Sequence, residues 1–327
     1  MPQNIDLMLG SRRIRDIIHS IYPSAEIQTM YDKLLDLSIV YSFDQTGYHR
    51  HAQHFSELNA AKFAGKHFLV TGGSRGIGGA VTQALLAMGA EVTVTARTRQ
   101  DFEKNFAGQA KVNFQPLDLS DFKAIQTLPL GRYDGLVLNA GGMPSEPTLV
   151  DGQFDTIFGA QVVGHYLLLN RLIDEGRLQP GAPVHWVASG GMYLHKLQLD
   201  DLGWQSRTYD KVNSYANAKR AQVVLNGLLA QRCKNLVLSC SHPGWVGTDA
   251  LAEALPGFTN RMGKRLRTAE QGADTILWCL EQGQQLKSGL FWFDRRPRGT
   301  RVFFWTKESE ADRFALLAML EGVKARY

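Results

Sequence analysis

His67-Phe68-Leu69-Val70-Thr71-Gly72-Gly73-Ser74-Arg75-Gly76-Ile77-Gly78 passes from a short apolar run into a glycine cluster without a break. The segment that follows, IGGAVTQALLAMGA, sets Val81, Leu85 and Met88 on one helical face and stops at Gly89. Strand, glycine turn and helix in that order are the context in which such a turn holds a pyrophosphate. The glycines permit a tight turn and let the backbone approach a ligand closely. The helix start adds unpaired N–H groups and the positive end of a dipole. Gly72, Ser74, Arg75, Gly76, Ile77 and Gly78 are therefore the candidate dinucleotide-binding residues. Three residues separate Gly72 from Gly76, where the commonest dinucleotide fingerprint has one.

Six more β-rich apolar runs lie outward from this turn: EVTVTA (91–96), VNFQPL (112–117), GLVLN (135–139), PVHWVAS (183–189), LVLSCSH (236–242) and GLFWF (289–293). Helical patterns fill the gaps between them. Near-continuous apolar strands separated by helices predict a parallel sheet covered on both faces. The expected fold class is α/β, a Rossmann-like doubly wound parallel sheet in three α/β/α layers, over residues 63–301. Residues 1–62 read as a helical N-terminal extension that docks on it. There Ile14, Ile17, Ile18 and Ile21 recur at helical spacing. Leu34, Leu35, Leu37 and Ile39 make a second apolar run, and the aromatic, His-rich YSFDQTGYHRHAQHF follows. Residues 302–327 read as a C-terminal helical cap with Phe314, Leu317 and Leu320 in register.

Composition narrows the function classes. With 44% hydrophobic and 20% charged residues over 327 positions, wholesale disorder is excluded. Three cysteines, with no CxxC pair and no Cys/His finger spacing, exclude a disulfide framework and argue against a structural zinc. No run of about eighteen apolar residues is present to span a membrane. The N-terminus lacks the layout of a secretory signal, so the expected location is cytoplasmic. The net charge of +5, from 36 Lys+Arg against 31 Asp+Glu, is too small to argue for a nucleic-acid partner.

Charge also indicates the form of the cofactor. An acid near the end of the second strand normally holds the ribose 2′-hydroxyl of NAD. Thr95-Ala96-Arg97-Thr98-Arg99 stands there without an acid. Arg75 in the loop and Arg97 after the strand suit a 2′-phosphate, so NADP(H) is the expected cofactor. Arg99 reads as a solvated loop residue. For chemistry on a carbonyl, the nicotinamide supplies hydride and a tyrosine can supply a proton, given a nearby ammonium to lower its pKa from about 10. Of the ten tyrosines only Tyr215 has a lysine, Lys219, four residues on, within the helical VNSYANAKRAQVVLNGLLAQR. Tyr215 is the expected acid/base and Lys219 its partner. Ser189, at the end of the fifth strand, is placed to hold the substrate oxygen.

These stretches together resemble the short-chain dehydrogenase/reductase family. Thr71-Gly-x-x-x-Gly-x-Gly78, Asp118 in PLDLSD, Asn139-Ala140-Gly141, Ser189, Tyr215-Ala-Asn-Ala-Lys219 and His242-Pro243-Gly244-Trp245-Val246 occur in the family's order, over about 63–293. Ser189-Gly-Gly-Met192, HPGW, LPGF and EQGADTILW are most similar to the group named dehydrogenase/reductase SDR family member 12. The resemblance implies that Asp118 and Leu119 contact adenine and that Asn139, Ala140 and Gly141 bracket the adenosine ribose. It implies that Lys219 also binds the nicotinamide ribose, and that Pro243, Gly244, Val246 and Thr248 touch the nicotinamide side. The family often carries an asparagine in the fourth helix that holds a water relaying protons to the lysine. Here FGAQVVGHYLL aligns Gln161 with it, the same donor and acceptor set on one more methylene. Such a relay survives with shifted geometry or is impaired, and the sequence leaves both open.

Ser189 and Tyr215 stand further apart than in many relatives. The intervening Met192, Tyr193, Leu194, Leu197, Leu199 and Trp204 read either as the wall of an apolar substrate pocket or as a core-packed excursion. The main functional reading is an NADP(H)-dependent oxidoreductase interconverting a carbonyl and an alcohol on an apolar small molecule. The alternative is an NADP-binding scaffold with little turnover. A homo-oligomer and an interfacial contact of the N-terminal segment with a membrane both stay open as partner readings. His49, His51 and His54 read as structural, so the expected metal content is none. Residues 261–301, with nine Lys/Arg against four Asp/Glu, read as a solvated basic face.

Overall fold

Seven parallel strands form where the seven apolar runs lie. The computed structural model describes residues 35–36 and 38–327. The strands are β1 (His67–Thr71), β2 (Glu91–Ala96), β3 (Val112–Pro116), β4 (Gly135–Leu138), β5 (Pro183–Val187), β6 (Val237–Ser241) and β7 (Phe291–Phe293). An eighth, β8 (Arg296–Arg298), closes the sheet as an antiparallel edge, in the order β8-β7-β6-β5-β4-β1-β2-β3. Sequence reading misses β8. Its residues are Arg-Pro-Arg, and the turn before it, Asp294-Arg295, holds both residues at positive φ (+49° and +58°) without the glycine that usually marks such a hairpin.

Burial on both faces shows in the alternation along β1. Leu69 joins a core cluster with Leu136, Leu138, Trp186 and Leu238 on one face, while Phe68 and Val70 join Val92, Val94, Val137 and Val187 on the other. Helices α3 (Gly76–Ala87) and α10 (Ala269–Gln282) cover the second face. The first is covered by α6 (His165–Asp174), α7 (Lys211–Arg232) and α11 (Glu310–Lys324), among others. Strand order reverses between β1 and β4, so the crevice at their C-terminal ends is where ligands bind in sheets of this kind.

The Ile14–Ile21 stripe, Leu34 and Leu37 lie outside the described residues. Helices α1 (Ile39–Phe43) and α2 (Gln45–Ala52) bring the start of the described chain onto the sheet's C-terminal edge. Asp44 caps α2 and takes an ion pair from Arg265 at 2.5 Å. Buried Arg267 donates to Asp294 Oδ1 and Oδ2 (2.6 and 2.8 Å) and to the carbonyls of Ser42 and Phe43. His51 is held between Asp294 (2.7 Å) and Asp36 (2.9 Å). Burial pushes His51 down, but these two carboxylates outweigh it and hold the imidazole above its ordinary value. Two expectations need correction. The basic stretch 261–301 is not one solvated face, because Arg265, Arg267 and Arg295 hold carboxylates and Arg267 is fully buried. In the C-terminal helix, Leu316, Leu317, Leu320 and Val323 pack inward while Phe314 is 75% exposed.

Candidate active site

The turn after β1 ties its Gly72 N–H to Thr95 O (2.7 Å) and then opens a helix without a side-chain cap. Gly72 (φ +63°) passes so close to the end of β4 that a side chain there would stand 2.8 Å from Ala140 Cα. At Gly78 a side chain would meet Gly72 O and Asn139 Nδ2, so close packing of helix on loop forbids one. No side chain caps α3 at Arg75, so the helix start can bind an anion. Ser74 is buried and its hydroxyl has no partner among the described residues. An unpartnered buried hydroxyl beside an uncapped helix start fits the pyrophosphate of a dinucleotide. Arg75 is half-exposed and pairs with Asp101 at 3.3 Å. Arg97 is exposed where β2 ends. Arg99 stands over the Phe114 ring on the surface.

Across the crevice the expected cofactor residues collect at strand ends. Asn139 donates through Nδ2 to the carbonyls of Thr71 (3.0 Å) and Gly72 (3.2 Å), tying β4 to the glycine turn. The N–H groups of Asn139 and Ala140 both donate to Thr71 Oγ1. Asp118 turns Oδ1 onto the backbone and hydroxyl of Ser120. Leu119 is buried in the core, so its side chain does not face the crevice. Thr248 caps the helix that follows β6, and its methyl lies 3.4 Å from where a side chain at Gly76 would start. The 243–248 loop thus closes over the glycine turn, with Val246 and Pro243 packed against Gly272 of α10.

Ser189, Tyr215 and Lys219 come together where β5 ends against α7. The Ser189 hydroxyl stands close enough to the Tyr215 phenol to favour its ionised form. Lys219 is buried and donates from Nζ to Val187 O (2.9 Å) and Gln222 Oε1 (3.1 Å), with Nζ 5.3 Å from the Tyr215 ring centroid. Burial dominates both titrations. It pushes Tyr215 up to about 12, opposed only by Ser189, and Lys219 down to about 7. The expected lowering of the phenol by Lys219 is therefore not what this geometry produces. In the packed interior the lysine loses its charge more readily than it stabilises a phenolate.

Gln161 sits in a π-helical stretch, Gly159–Gly164, that leads into α6. Its Nε2 donates to Gly142 O (2.7 Å) and its Oε1 has no partner among the described residues. The Gln161 carbonyl accepts from Gln222 Nε2 (2.7 Å) and from His165 Nδ1 (2.9 Å). A carbonyl only accepts, so His165 carries its proton on Nδ1, and Nε2 accepts from the Thr71 hydroxyl (2.9 Å). Burial keeps this imidazole neutral, pushed down to about 3. His165 and Gln222 are thus neighbours of the site that sequence reading misses, whereas Thr71 already opens the glycine motif. Gln222 carries a readable signal, since it lies three residues after Lys219 on the same helix face.

Of the two readings of the Ser189–Tyr215 loop, core packing holds for Met192 and Leu197, whereas Leu194 is 62% exposed. The outer part of the loop lines an open cavity of about 920 Å³ with Ser145, His195, Trp204, Arg207, Tyr209 and Asn213, a mixed rather than apolar set. Aromatic side chains close the other flank of the site. Phe43 of α1 abuts Gly190, 2.5 Å from where a side chain would start there, and packs on Tyr193, His242 and Trp245.

A glycine turn at the switch point of a doubly wound sheet, with a serine, a tyrosine and a lysine gathered beside it, defines a dinucleotide-dependent class of fold. Comparison with known proteins agrees. The short chain dehydrogenase family model matches residues 66–184. Dehydrogenase/reductase SDR family member 12 from Bos taurus is 33% identical over 282 residues, covering 80% of this chain and 87% of the relative. Retinol dehydrogenase 13 from Homo sapiens is 28% identical over 240 residues, covering 69% and 70%. An uncharacterised Mycobacterium paratuberculosis protein superposes with a TM-score of 0.66 at 25% identity, over 83% of this chain and 98% of that one. A Burkholderia cenocepacia short chain dehydrogenase in complex with NADP shares the fold at a TM-score of 0.54 and 22% identity, over 70% and 96%. The chain belongs to the short-chain dehydrogenase/reductase family of oxidoreductases.

Proposed function

We propose that this chain is an NADP(H)-dependent oxidoreductase that interconverts a carbonyl and an alcohol on an apolar small molecule, with residues 63–301 as its catalytic unit. The observation that carries this reading is the meeting of Ser189, Tyr215 and Lys219 beside an uncapped helix start. Bound NADP(H) would supply or accept the hydride at the carbonyl carbon. Gly72, Ser74 and Gly76–Gly78 would hold its pyrophosphate, and Arg75 at the start of α3 and Arg97 after β2, both reaching solvent, its 2′-phosphate. In the reducing direction Ser189 orients the carbonyl oxygen and Tyr215 donates its proton there. A phenol pushed up to about 12 is protonated at neutral pH, as a donor must be, but is a weaker acid than an unperturbed tyrosine. The aromatic flank of Phe43, Tyr193 and Trp245 favours an apolar substituent.

The rival reading, an NADP-binding protein with little turnover, draws on Gln222. Its amide spans from Lys219 to the Gln161 carbonyl, where a proton-relaying water would otherwise fit. A panel of lipophilic ketones, aldehydes and alcohols with NADP(H) and NAD(H), read by cofactor absorbance, separates the two. Turnover that is lost in Tyr215→Phe while NADPH binding persists is the expected outcome. Full turnover in the variant refutes the role of Tyr215, and tight binding without turnover on any compound favours the rival.

A further inference from the structure

We infer that the loop 296–307 is a docking surface for an anionic lipid bilayer. Phe304 is 85% exposed, Val302 62% and Trp305 58%. Large apolar side chains grouped in this way on a surface mark an interaction site. Basic residues alternate with them. Residues 295–307 contain Arg295, Arg296, Arg298, Arg301 and Lys307 and no acid. Arg296, Arg301 and Lys307 are exposed and form no ion pair with any described residue. The acids that follow are engaged: Glu308 with Arg220, Glu310 with Arg313 and Asp312 with Lys196.

The display is built into the fold rather than left by a loose chain end. Arg220 of α7 is wholly buried and clamps the loop at both ends. It donates to the carbonyls of Thr300 and Thr306 (2.9 Å to the latter) and pairs with Glu308. Thr306 is buried beneath the tip, and a 3-10 turn, Phe304–Thr306, holds Trp305 stacked on Phe303 with centroids 4.4 Å apart. A core arginine spent on fixing an aromatic loop outward makes sense if the outward face has something to bind.

Charge selects the occupant. A second copy of this chain across a two-fold axis would set Arg296, Arg301 and Lys307 against their own equivalents. A negatively charged leaflet attracts each of them, while tryptophan and phenylalanine seat at the level of the headgroups. Arg220 also contacts Met192 Sδ (3.4 Å), in the turn directly after Ser189.

The test is co-sedimentation of the full chain with vesicles of phosphatidylcholine containing phosphatidylserine, against pure phosphatidylcholine, at low and high salt. Binding should need phosphatidylserine, weaken with salt, and fall at least tenfold in Phe304→Ser/Trp305→Ser and in Arg301→Glu/Lys307→Glu, both with unchanged melting temperature. Absence of vesicle binding overturns the inference. So does binding that both variants retain, which would assign the contact to another segment. A concentration-dependent dimer that the serine variant abolishes, without vesicle binding, overturns it in favour of a self-association surface. These outcomes are read without substrate, so they stand apart from any failure of the proposed activity.

Discussion

Replacing Lys219 by methionine probes the buried lysine without a substrate. Burial pushes this ammonium from 10.5 to about 7, a gap that at ~1.36 kcal/mol per pH unit amounts to about 5 kcal/mol against the charged form in the fold. Below about pH 7 the lysine is charged both folded and unfolded, so the whole penalty is present. Between about pH 7 and pH 10.5 only the unfolded chain keeps the proton, so stability rises with pH. From about pH 6 to about pH 9.5 the wild type should gain about 3 kcal/mol that Lys219→Met cannot gain. The neighbours do not titrate in that window. Tyr215 is pushed up to about 12, His165 down to about 3, and burial holds the Cys240 thiol well above its ordinary range.

The variant also orphans two acceptors, Val187 O and Gln222 Oε1. That costs about 1–3 kcal/mol each at every pH, so the stability difference at a single pH decides nothing and its slope with pH decides. Urea unfolding of both proteins at about pH 6 and about pH 9.5 measures it. At the higher pH the wild type should stand further above the variant by about 3 kcal/mol. A stability difference that is flat with pH, or one that shrinks as pH rises, refutes the claim that burial depresses Lys219.

Three further outcomes are expected. Arg75→Glu/Arg97→Glu should weaken NADPH binding at least tenfold while leaving NADH binding within about threefold, read by fluorescence titration, since each lost charge-assisted contact is worth about 1.5–3 kcal/mol; equal losses for both cofactors would remove the basis for expecting NADP(H). Gly78→Ala should lower stability by about 1–3 kcal/mol through overpacking against Gly72 O and Asn139 Nδ2, seen as a reduced melting temperature, and a neutral result would mean that helix and loop are not in contact. Asp294→Ala strands Arg267 and should cost about 3–5 kcal/mol, with earlier proteolytic cleavage near α1 and α2; because His51 is held above its ordinary value, its share of that anchoring is full at acid pH and is lost as pH rises through the folded value, so wild-type cleavage should quicken at alkaline pH.

The sheet was legible because each buried strand is an apolar run bounded by turn residues, and the glycine turn because its spacing has few other uses. Ser189, Tyr215 and Lys219 were legible for a related reason: strand end and helix spacing both carry directional information. What was hidden depends on partners distant in sequence. Arg267 looks like one more basic residue of 261–301 until Asp294 and the backbone of α1 surround it. Nothing in the local pattern around Phe314 tells its exposed position from the buried ones beside it. The pKa order of Tyr215 and Lys219 escapes the sequence for the same reason. Spacing reports that two groups are close, whereas desolvation depends on everything packed around them.

The π-helical stretch gives these partners a common cause. In a regular α-helix a carbonyl is committed to the N–H four residues on. Widening by one residue shifts that pattern, and the Gln161 carbonyl accepts from two side chains, His165 and Gln222. Both of its lone pairs are then used, so it has none left for a water. Lys219 reaches this carbonyl only through the Gln222 amide, which holds its own protons and cannot pass one on. Lys219 is 3% exposed, whereas Tyr215 and Ser189 are partly exposed. In the proposed reaction the phenolate therefore regains its proton from the Ser189 side, at the mouth of the site, and not along the interior chain from Lys219 to Thr71. Gln222→Ala, which opens room for a water between Lys219 and Gln161, should then raise turnover or leave it unchanged in a proton-limited step; a large loss would mean that the amide, and not a missing water, is what the lysine needs.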